Sequence, residues 1–430
     1  PLVAWYFNQV PWLGLVTNLV AVPYTGVILV PIGLLAAVVT LIPGVEAFPF
    51  ALVQQTLLEW MVNVLHWCAL LPGSDWRVPA PALWVMVMFY LGVSCAVGVI
   101  PCRYRRIVGG SLMAMALGGW ILSGVAVVDG DRWRVTFLDV GQGDSAVVQL
   151  PGGKTVLIDG GRKYERFDMG RSVIAPYLLN QGIRRLDHII ATHPQQDHVG
   201  GLPWVIRHLE VGEFWHAGIE RSEPLFEELR RAVAERQVED HRAKRGDELI
   251  QGNACRLTIL NPVRSSERDA SIRSAGGTYL NNESIVAQLD CGQHRIVFAA
   301  DIETDGLHRL ATFGQDPVTV LKVPHHGARS SLDRDWIARA QPRYAVFSAG
   351  RRNSYGHPVP DVIAAYAAVG SEILRTDMDG AVIVTGRIST SELQIRRMRD
   401  VVLQPVATLY GLWASERDNW LRLFVQSHEL

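Results

Sequence analysis

The stretch Ile189-Ile190-Ala191-Thr192-His193-Pro194-Gln195-Gln196-Asp197-His198-Val199-Gly200-Gly201 decides how the chain reads. An apolar run ends in two imidazoles and a carboxylate within six residues. This is how a metal site is built where a strand leaves a sheet. Neutral imidazole nitrogens and carboxylate oxygens are ligands that borderline divalent metals accept. What the protein does therefore depends mainly on whether this cluster holds a metal.

Working outward, short β-rich runs alternate with helical ones from Asp131 onward. Arg134–Val140, Ala146–Leu150 and Thr155–Asp159 read as strands, the last two joined by the turn Pro151-Gly152-Gly153. A helix is expected over Gly170–Asn180, a buried strand over Asp187–Thr192 and a helix over Leu202–Leu209. Further strands are expected at Cys255–Leu260, Ser284–Leu289, Arg295–Ala300, Val318–Val323, Tyr344–Phe347, Glu372–Leu374 and Ala381–Thr385. The charge-dense stretch Glu220–Asp247 reads as a surface helix with a loop. Hairpins interleaved with helices imply sheets enclosed by helical layers. Asp301, His325-His326-Gly327 and Tyr355-Gly356-His357-Pro358 each follow an expected strand, so four strand ends in order carry His or Asp.

Charge is distributed unevenly over the 430 residues. Of 41 basic and 42 acidic side chains, 4 and 3 precede Asp129. Ala82–Pro101 and Ile107–Val128 are charge-free and about 20 residues long, the length that spans a bilayer core. The loop between them carries Arg103, Arg105 and Arg106 without an acid, so it is expected inside the cell and everything after Val128 outside. Pro11, Pro23, Pro31 and Pro43 punctuate Pro1–Val45, which reads as broken helices. Glu46–Leu71 mixes apolar residues with Gln54, Gln55, Glu59, Asn63 and His66, as an interfacial helix does. A start at Pro1, within apolar sequence, reads as a segment of a longer protein. The expected organisation is a membrane domain over 1–128, an α/β domain over 131–390 and a helical tail over 391–430. None of the five cysteines forms a CxxC pair, and Cys255 and Cys291 can pair if their domain lies outside the cytosol.

The order HxxxDH, then an Asp after a strand, then a late His, resembles the metallo-β-lactamase superfamily, whose fold is a four-layer αββα sandwich. Asp139-Val140-Gly141-Gln142-Gly143-Asp144-Ser145, Ile158-Asp159-Gly160-Gly161, Asn281-Asn282-Glu283-Ser284, Lys322-Val323-Pro324-His325-His326-Gly327 and Tyr355-Gly356-His357-Pro358 are together similar to ComEC competence proteins. That resemblance implies an α-helical transmembrane segment, the end of a competence domain, followed by an α/β metallo-β-lactamase-like sandwich. It implies an inner-membrane DNA uptake protein, partnered by DNA, membrane lipid and other uptake proteins, with an extracytoplasmic nuclease domain. It also implies one or two divalent ions, Mn or Zn, held by His193, Gln195, Asp197, His198, Asp301 and His357. Asp197, Asp301, His325 and His326 are the expected catalytic residues. Asp144, Asp159, Arg162, Lys163, Arg351 and Arg352 are expected to orient ligands or to touch substrate. Two departures stand out: an amide at Gln195 supplies no charge to a metal, and no His in a ligand motif lies between His198 and Asp301.

Nucleic acid binding needs positive charge, and from Asp129 on 37 basic residues face 39 acidic ones. Local clusters remain at Arg162-Lys163 with Arg166 and Arg171, at Arg329, and at Arg351-Arg352. Two alternatives are a degenerate domain that binds DNA or gates a channel without catalysis, and a membrane-anchored metallohydrolase of small esters.

Overall fold

The computed structural model describes residues 1–42, 48–71, 73–74, 76–101, 103–123, 129–165, 167–219, 221–252, 254–263, 277–310 and 317–403. Glu46, Cys102, Arg166, Glu220, residues 124–128 of the second expected span and the tail beyond 403 lie outside them. The chain forms two compact units, Pro1–Val125 with Leu179–Gln181, and Ala126–Leu178 with Gly182–Leu430.

In the first unit, Trp12–Val39 runs on as one apolar helix. This corrects the expectation of helices broken at Pro23 and Pro31. Between the two prolines lies a π-helical turn, Thr25–Leu29, in which the Val30 N–H reaches the Thr25 carbonyl. Such a turn re-pairs backbone groups that proline leaves without partners. Ala51–Leu70 is a second helix with no fully buried side chain; Gln54, Leu57, Met61, Leu65 and Cys68 are half-buried and the rest are exposed. Leu83–Ala96 is shorter than the run from 82 to 101 implied. Gly98, at φ 87°, turns the chain out of the helix, leaving about 21 Å of rise against a bilayer core of about 30 Å. Arg105–Ser123 packs on it through small residues. A Cβ on Gly109 would lie 2.6 Å from the Gly92 carbonyl oxygen, so both positions need glycine for the backbones to approach. Trp12–Val39 and Arg105–Ser123 are long and apolar enough to cross a membrane.

In the second unit the strands are β1 (Arg132–Phe137), β2 (Ala146–Gln149), β3 (Thr155–Ile158), β4 (Arg185–Ala191), β5 (Glu210–His216), β6 (Glu239–Arg242), β7 (Glu248–Gln251), β8 (Cys255–Asn261), β9 (Val286–Cys291), β10 (His294–Phe298), β11 (Val320–Lys322), β12 (Tyr344–Phe347), β13 (Glu372–Arg375), β14 (Val382–Arg387) and β15 (Leu393–Arg397). They form an eight-stranded sheet, β15-β14-β1-β2-β3-β4-β5-β6, and a seven-stranded sheet, β13-β12-β11-β10-β9-β8-β7. Pairing is parallel across β3-β4-β5-β6 and across β10-β11-β12-β13, and antiparallel elsewhere in both sheets.

Alternate residues of the two sheets interlock. Trp133, Val135, Phe137, Val148, Ile158 and Ile190 share one core with Leu257, Leu289, Ile296, Phe298 and Val346. Fully burying one such side chain contributes roughly 1.5–3 kcal/mol. On the other face of the seven-stranded sheet, Val297, Leu321 and Val323 pack with Trp336 and Ile337 of helix Arg334–Ala340 and with Val362 and Tyr366 of helix Pro360–Ala368. The result is the expected mixed-sheet sandwich flanked by helices. Two expectations need correction. Glu220–Asp247 holds the helix Pro224–Glu235 but also β6, and residues 393–397 of the expected helical tail are the edge strand β15. Leu393-Gln394-Ile395-Arg396-Arg397 alternates between half-buried and exposed, which is a strand's period. Cys255 and Cys291 face each other across β8 and β9 and form a disulfide.

Candidate metal centre

The strand-end residues converge because they leave the carboxyl ends of parallel strands, where open α/β sheets form their crevices. Asp159 follows β3, the 193–198 segment follows β4, and Asp301 follows β10. Lys322 ends β11, and His325 and His326 lie just beyond it.

Asp159 is buried and accepts three hydrogen bonds, from the Thr192 N–H (2.9 Å), the Thr192 hydroxyl (2.8 Å) and His198 Nδ1 (2.8 Å). The last of these sets the His198 tautomer and aims Nε2 away from Asp159, 3.2 Å from Asp301 Oδ2. His326 is arranged in the same way. Its Nδ1 bonds the Ser348 carbonyl at 2.9 Å, while Nε2 lies 3.3 Å from Asp301 Oδ2 and 3.5 Å from Asp197 Oδ2. Lys322, also buried, bonds the Ala300 carbonyl at 2.9 Å, pairs with the Asp144 carboxylate, and stands 3.5 Å from Asp301 Oδ1.

The electrostatics follow from this crowding. Burial works against ionised Asp301, but His198, His326 and Lys322 outweigh it and hold the carboxyl well below the usual range. Burial likewise works against ionised Asp197, and the His326 hydrogen bond with the His198 and His326 charges holds it low. Burial opposes protonated His198 and His326, but Asp301, joined by Asp159 for the first and Asp144 for the second, holds both well above the ordinary imidazole value. Asp301 and Asp197 favour protonated His193 and His357 too, but here they are outweighed. Burial first, then neighbouring imidazoles, pushes them down to about 3 and about 4.

A divalent ion fits these residues. His193 Nε2, His198 Nε2, His326 Nε2, Asp144 Oδ1 and both Asp301 oxygens are buried and make no hydrogen bond, whereas buried polar atoms in native proteins are normally paired. Asp144, His198, Asp301 and His326 each offer a ligand atom within 4.8 Å of the others. The backbone is strained in the same place. Asp159, Ala300, His325 and His326 all have positive φ, at 59°, 48°, 47° and 54°. Non-glycine residues keep this conformation only where surrounding structure over-determines it, which clusters at functional sites. Gly143, at φ 146°, lies so close to the 193–201 loop that a Cβ there would be 2.3 Å from the Asp197 carbonyl oxygen.

The remaining expected residues divide into several groups. His325 is half-buried at the edge of the cluster, with Nε2 3.8 Å from Asp301 Oδ2 and Nδ1 3.1 Å from Ser330 Oγ. His357 is half-buried, its ring 5.8 Å from that of His325. Gln195 donates its amide to Asn281 Oδ1 at 2.9 Å, and Asn281 in turn donates to Glu303 Oε1. Lys163 is paired with Glu228 of helix Pro224–Glu235 at 2.7 Å. The Arg162 guanidinium lies over the Tyr164 ring at 5.2 Å, and Arg351 and Arg352 are exposed. Lys322 had no assigned role in the sequence, yet a signal was present: it stands inside the apolar run Val320-Leu321-Lys322-Val323, it is buried in the structure, and buried lysines are almost always paired.

Residues 1–101 match the family described as competence protein, and residues 138–351 match the metallo-β-lactamase superfamily. The chain thus joins a stretch similar to competence proteins to a stretch similar to the metallo-β-lactamase superfamily. Over 385 residues it is 27% identical to "Competence protein ComA" of Neisseria gonorrhoeae, covering 88% of this chain and 49% of that one. Over 262 residues it is 31% identical to "ComE operon protein 3" of Bacillus subtilis (strain 168), covering 58% and 32%. Over 268 residues it is 27% identical to "Recombination protein 2" of Haemophilus influenzae, covering 62% and 30%. The chain thus spans about half or less of the length of these relatives. Among solved structures it is similar to the metallo-β-lactamase fold protein YhfI from Bacillus subtilis, with TM-score 0.38 and 13% identity over 60% of this chain and 100% of that one.

Proposed function

We propose that this chain belongs to a DNA uptake protein of the inner membrane for natural transformation, in which the sandwich domain hydrolyses phosphodiesters with a divalent metal. The observation that carries the reading is the buried cluster of Asp144, His198, Asp301 and His326, whose ligand atoms lie within 4.8 Å of one another, several of them, with His193 Nε2, making no hydrogen bond. Asp197, His198, Asp301 and His326 would hold the ion, Mn or Zn, with His193 and His357 adjacent. When bound, the metal supplies Lewis acidity toward a phosphoryl oxygen and lowers the pKa of water. Asp159 and the Ser348 carbonyl orient the two buried imidazoles. His325, at the exposed edge, is placed to pass a proton to a leaving oxygen.

The Cys255–Cys291 disulfide supports a domain outside the cytosol, since disulfides persist in oxidising compartments. The basic loop before helix Arg105–Ser123 supports the same sidedness. A second reading, DNA binding or channel gating without hydrolysis, is favoured by one observation: the Lys322 ammonium already neutralises Asp144 and Asp301.

Incubating the detergent-solubilised chain with linear DNA and Mn²⁺ or Zn²⁺, beside the Asp197→Ala, Asp301→Ala double variant, separates these. Metal-dependent degradation lost in the variant is the expected result. Binding without turnover supports gating, and ester turnover without DNA degradation supports a small-ester hydrolase.

A further inference from the structure

We infer that Tyr355 is a stacking platform for an unpaired nucleobase beside the reacting phosphodiester, so that the site takes single-stranded or frayed DNA. This rests on the phosphodiester reading above and adds the form of the substrate.

Among the described residues of the second unit, Tyr355 and Met378 are the large apolar side chains left exposed, Tyr355 at 59%. An aromatic ring held in water at the mouth of a polar site has a ready use as a surface for another flat ring. The loop that carries it is rigidly pinned. Asn353 donates to the Gly350 carbonyl (2.8 Å) and the His357 carbonyl (2.6 Å) and accepts from the His357 N–H (3.0 Å). At the base of the loop the Gly350 N–H bonds Gln142 Oε1 at 3.0 Å, and a Cβ on Gly350 would meet Gln142 N at 2.6 Å. The backbone on either side of Tyr355 is therefore held, and little further ordering of the loop is needed on binding.

That place leads to the cluster. The Tyr355 ring lies 5.8 Å from His357 with planes 25° apart, the His357 ring 5.8 Å from His325, and His325 Nε2 3.8 Å from Asp301. A ladder of flat rings thus runs from solvent to the buried carboxylate. Arg351 and Arg352 are exposed on the same loop and add positive charge for the backbone of a strand. Bases inside a duplex are stacked on each other and cannot use such a ring, which is why the platform selects unpaired strands.

The test compares the detergent-solubilised full chain with its Tyr355→Ala and Tyr355→Phe variants, in Mn²⁺, on a short single-stranded oligonucleotide and on the same strand built with abasic residues. Wild-type protein and Tyr355→Phe are expected to show a KM about tenfold lower for the strand with bases. Tyr355→Ala is expected to treat the two strands alike, with the change confined to KM. Melting curves and Mn²⁺ binding of each variant confirm that fold and metal site are intact. If wild-type protein cleaves both strands with one KM, or if Tyr355→Ala discriminates as wild type does, the platform is refuted while the phosphodiester reading stands. If wild-type protein cleaves neither strand yet degrades linear duplex DNA, the platform alone is refuted; if it degrades no DNA at all, both fail together.

Discussion

Asp159→Asn tests the support beneath the metal ligands without changing side-chain shape. Asp159 Oδ1 accepts from the Thr192 N–H, and Oδ2 accepts from the Thr192 hydroxyl and His198 Nδ1. An amide that keeps its oxygen on Thr192 N turns an NH₂ toward the other two donors. The Thr192 hydroxyl can rotate and accept instead. His198 Nδ1–H cannot, so the ring must move or carry its proton on Nε2, the atom aimed at Asp301. Losing a charge-assisted bond and leaving a buried donor unpaired costs about 2–4 kcal/mol of stability. Loss of such an orienting partner weakens metal binding about 10- to 100-fold, or about 1.4–2.7 kcal/mol. Denaturant unfolding without metal and calorimetric titration with Mn²⁺ or Zn²⁺ read the two effects separately. Wild-type affinity in Asp159→Asn would refute the claim that His198 binds through an Nε2 fixed by Asp159.

Other consequences can be measured directly. Carboxylates hold His198 and His326 above the ordinary imidazole value, so both carry protons in the metal-free protein near neutrality. Metal must displace those protons, so affinity should rise with pH over roughly pH 6 to 8 and binding should release protons. Calorimetry in buffers of different ionisation enthalpy checks this, and a flat profile without proton release contradicts it. Lys322→Met removes the lysine from Asp144 and Asp301, leaving only the imidazolium partners, and should lower stability by about 3–5 kcal/mol without metal. Saturating Mn²⁺ should recover part of that in thermal melts, and an equal loss with and without metal counts against a shared site. The Cys255→Ser, Cys291→Ser pair opens a link between residues 36 apart, and denaturant unfolding should show a loss of about 3–4 kcal/mol on chain-entropy grounds.

The sequence was most legible where one residue type could have one reason for its place. Apolar runs ending in His193, His198, Asp301 and His326 announced both the strands and the cluster, because a strand end is where a side chain can leave the sheet and still be held rigidly. It was least legible where local pattern and tertiary setting disagree. The strand β6, Glu239-Asp240-His241-Arg242, has no apolar residue and exists because β5 offers it a parallel partner. The prolines at 23 and 31 predicted breaks, and one π-helical turn absorbed them. Asp144 and Lys322 were hard to place because their partnership joins residues 178 positions apart and is created by the packing of the two sheets. Gln195 sits in the ligand motif, yet its amide N–H is taken by Asn281, a contact no spacing rule reveals.

The central claim is that side chains distant in sequence grip one divalent ion. Anomalous scattering at the metal edge from crystals grown with Mn²⁺ or Zn²⁺ tests it most directly. The account predicts a peak about 2.0–2.3 Å from ligand atoms of His198, Asp301 and His326. A peak bound elsewhere, or a site with Lys322 still bridging Asp144 and Asp301 and no metal at saturating concentration, would contradict it.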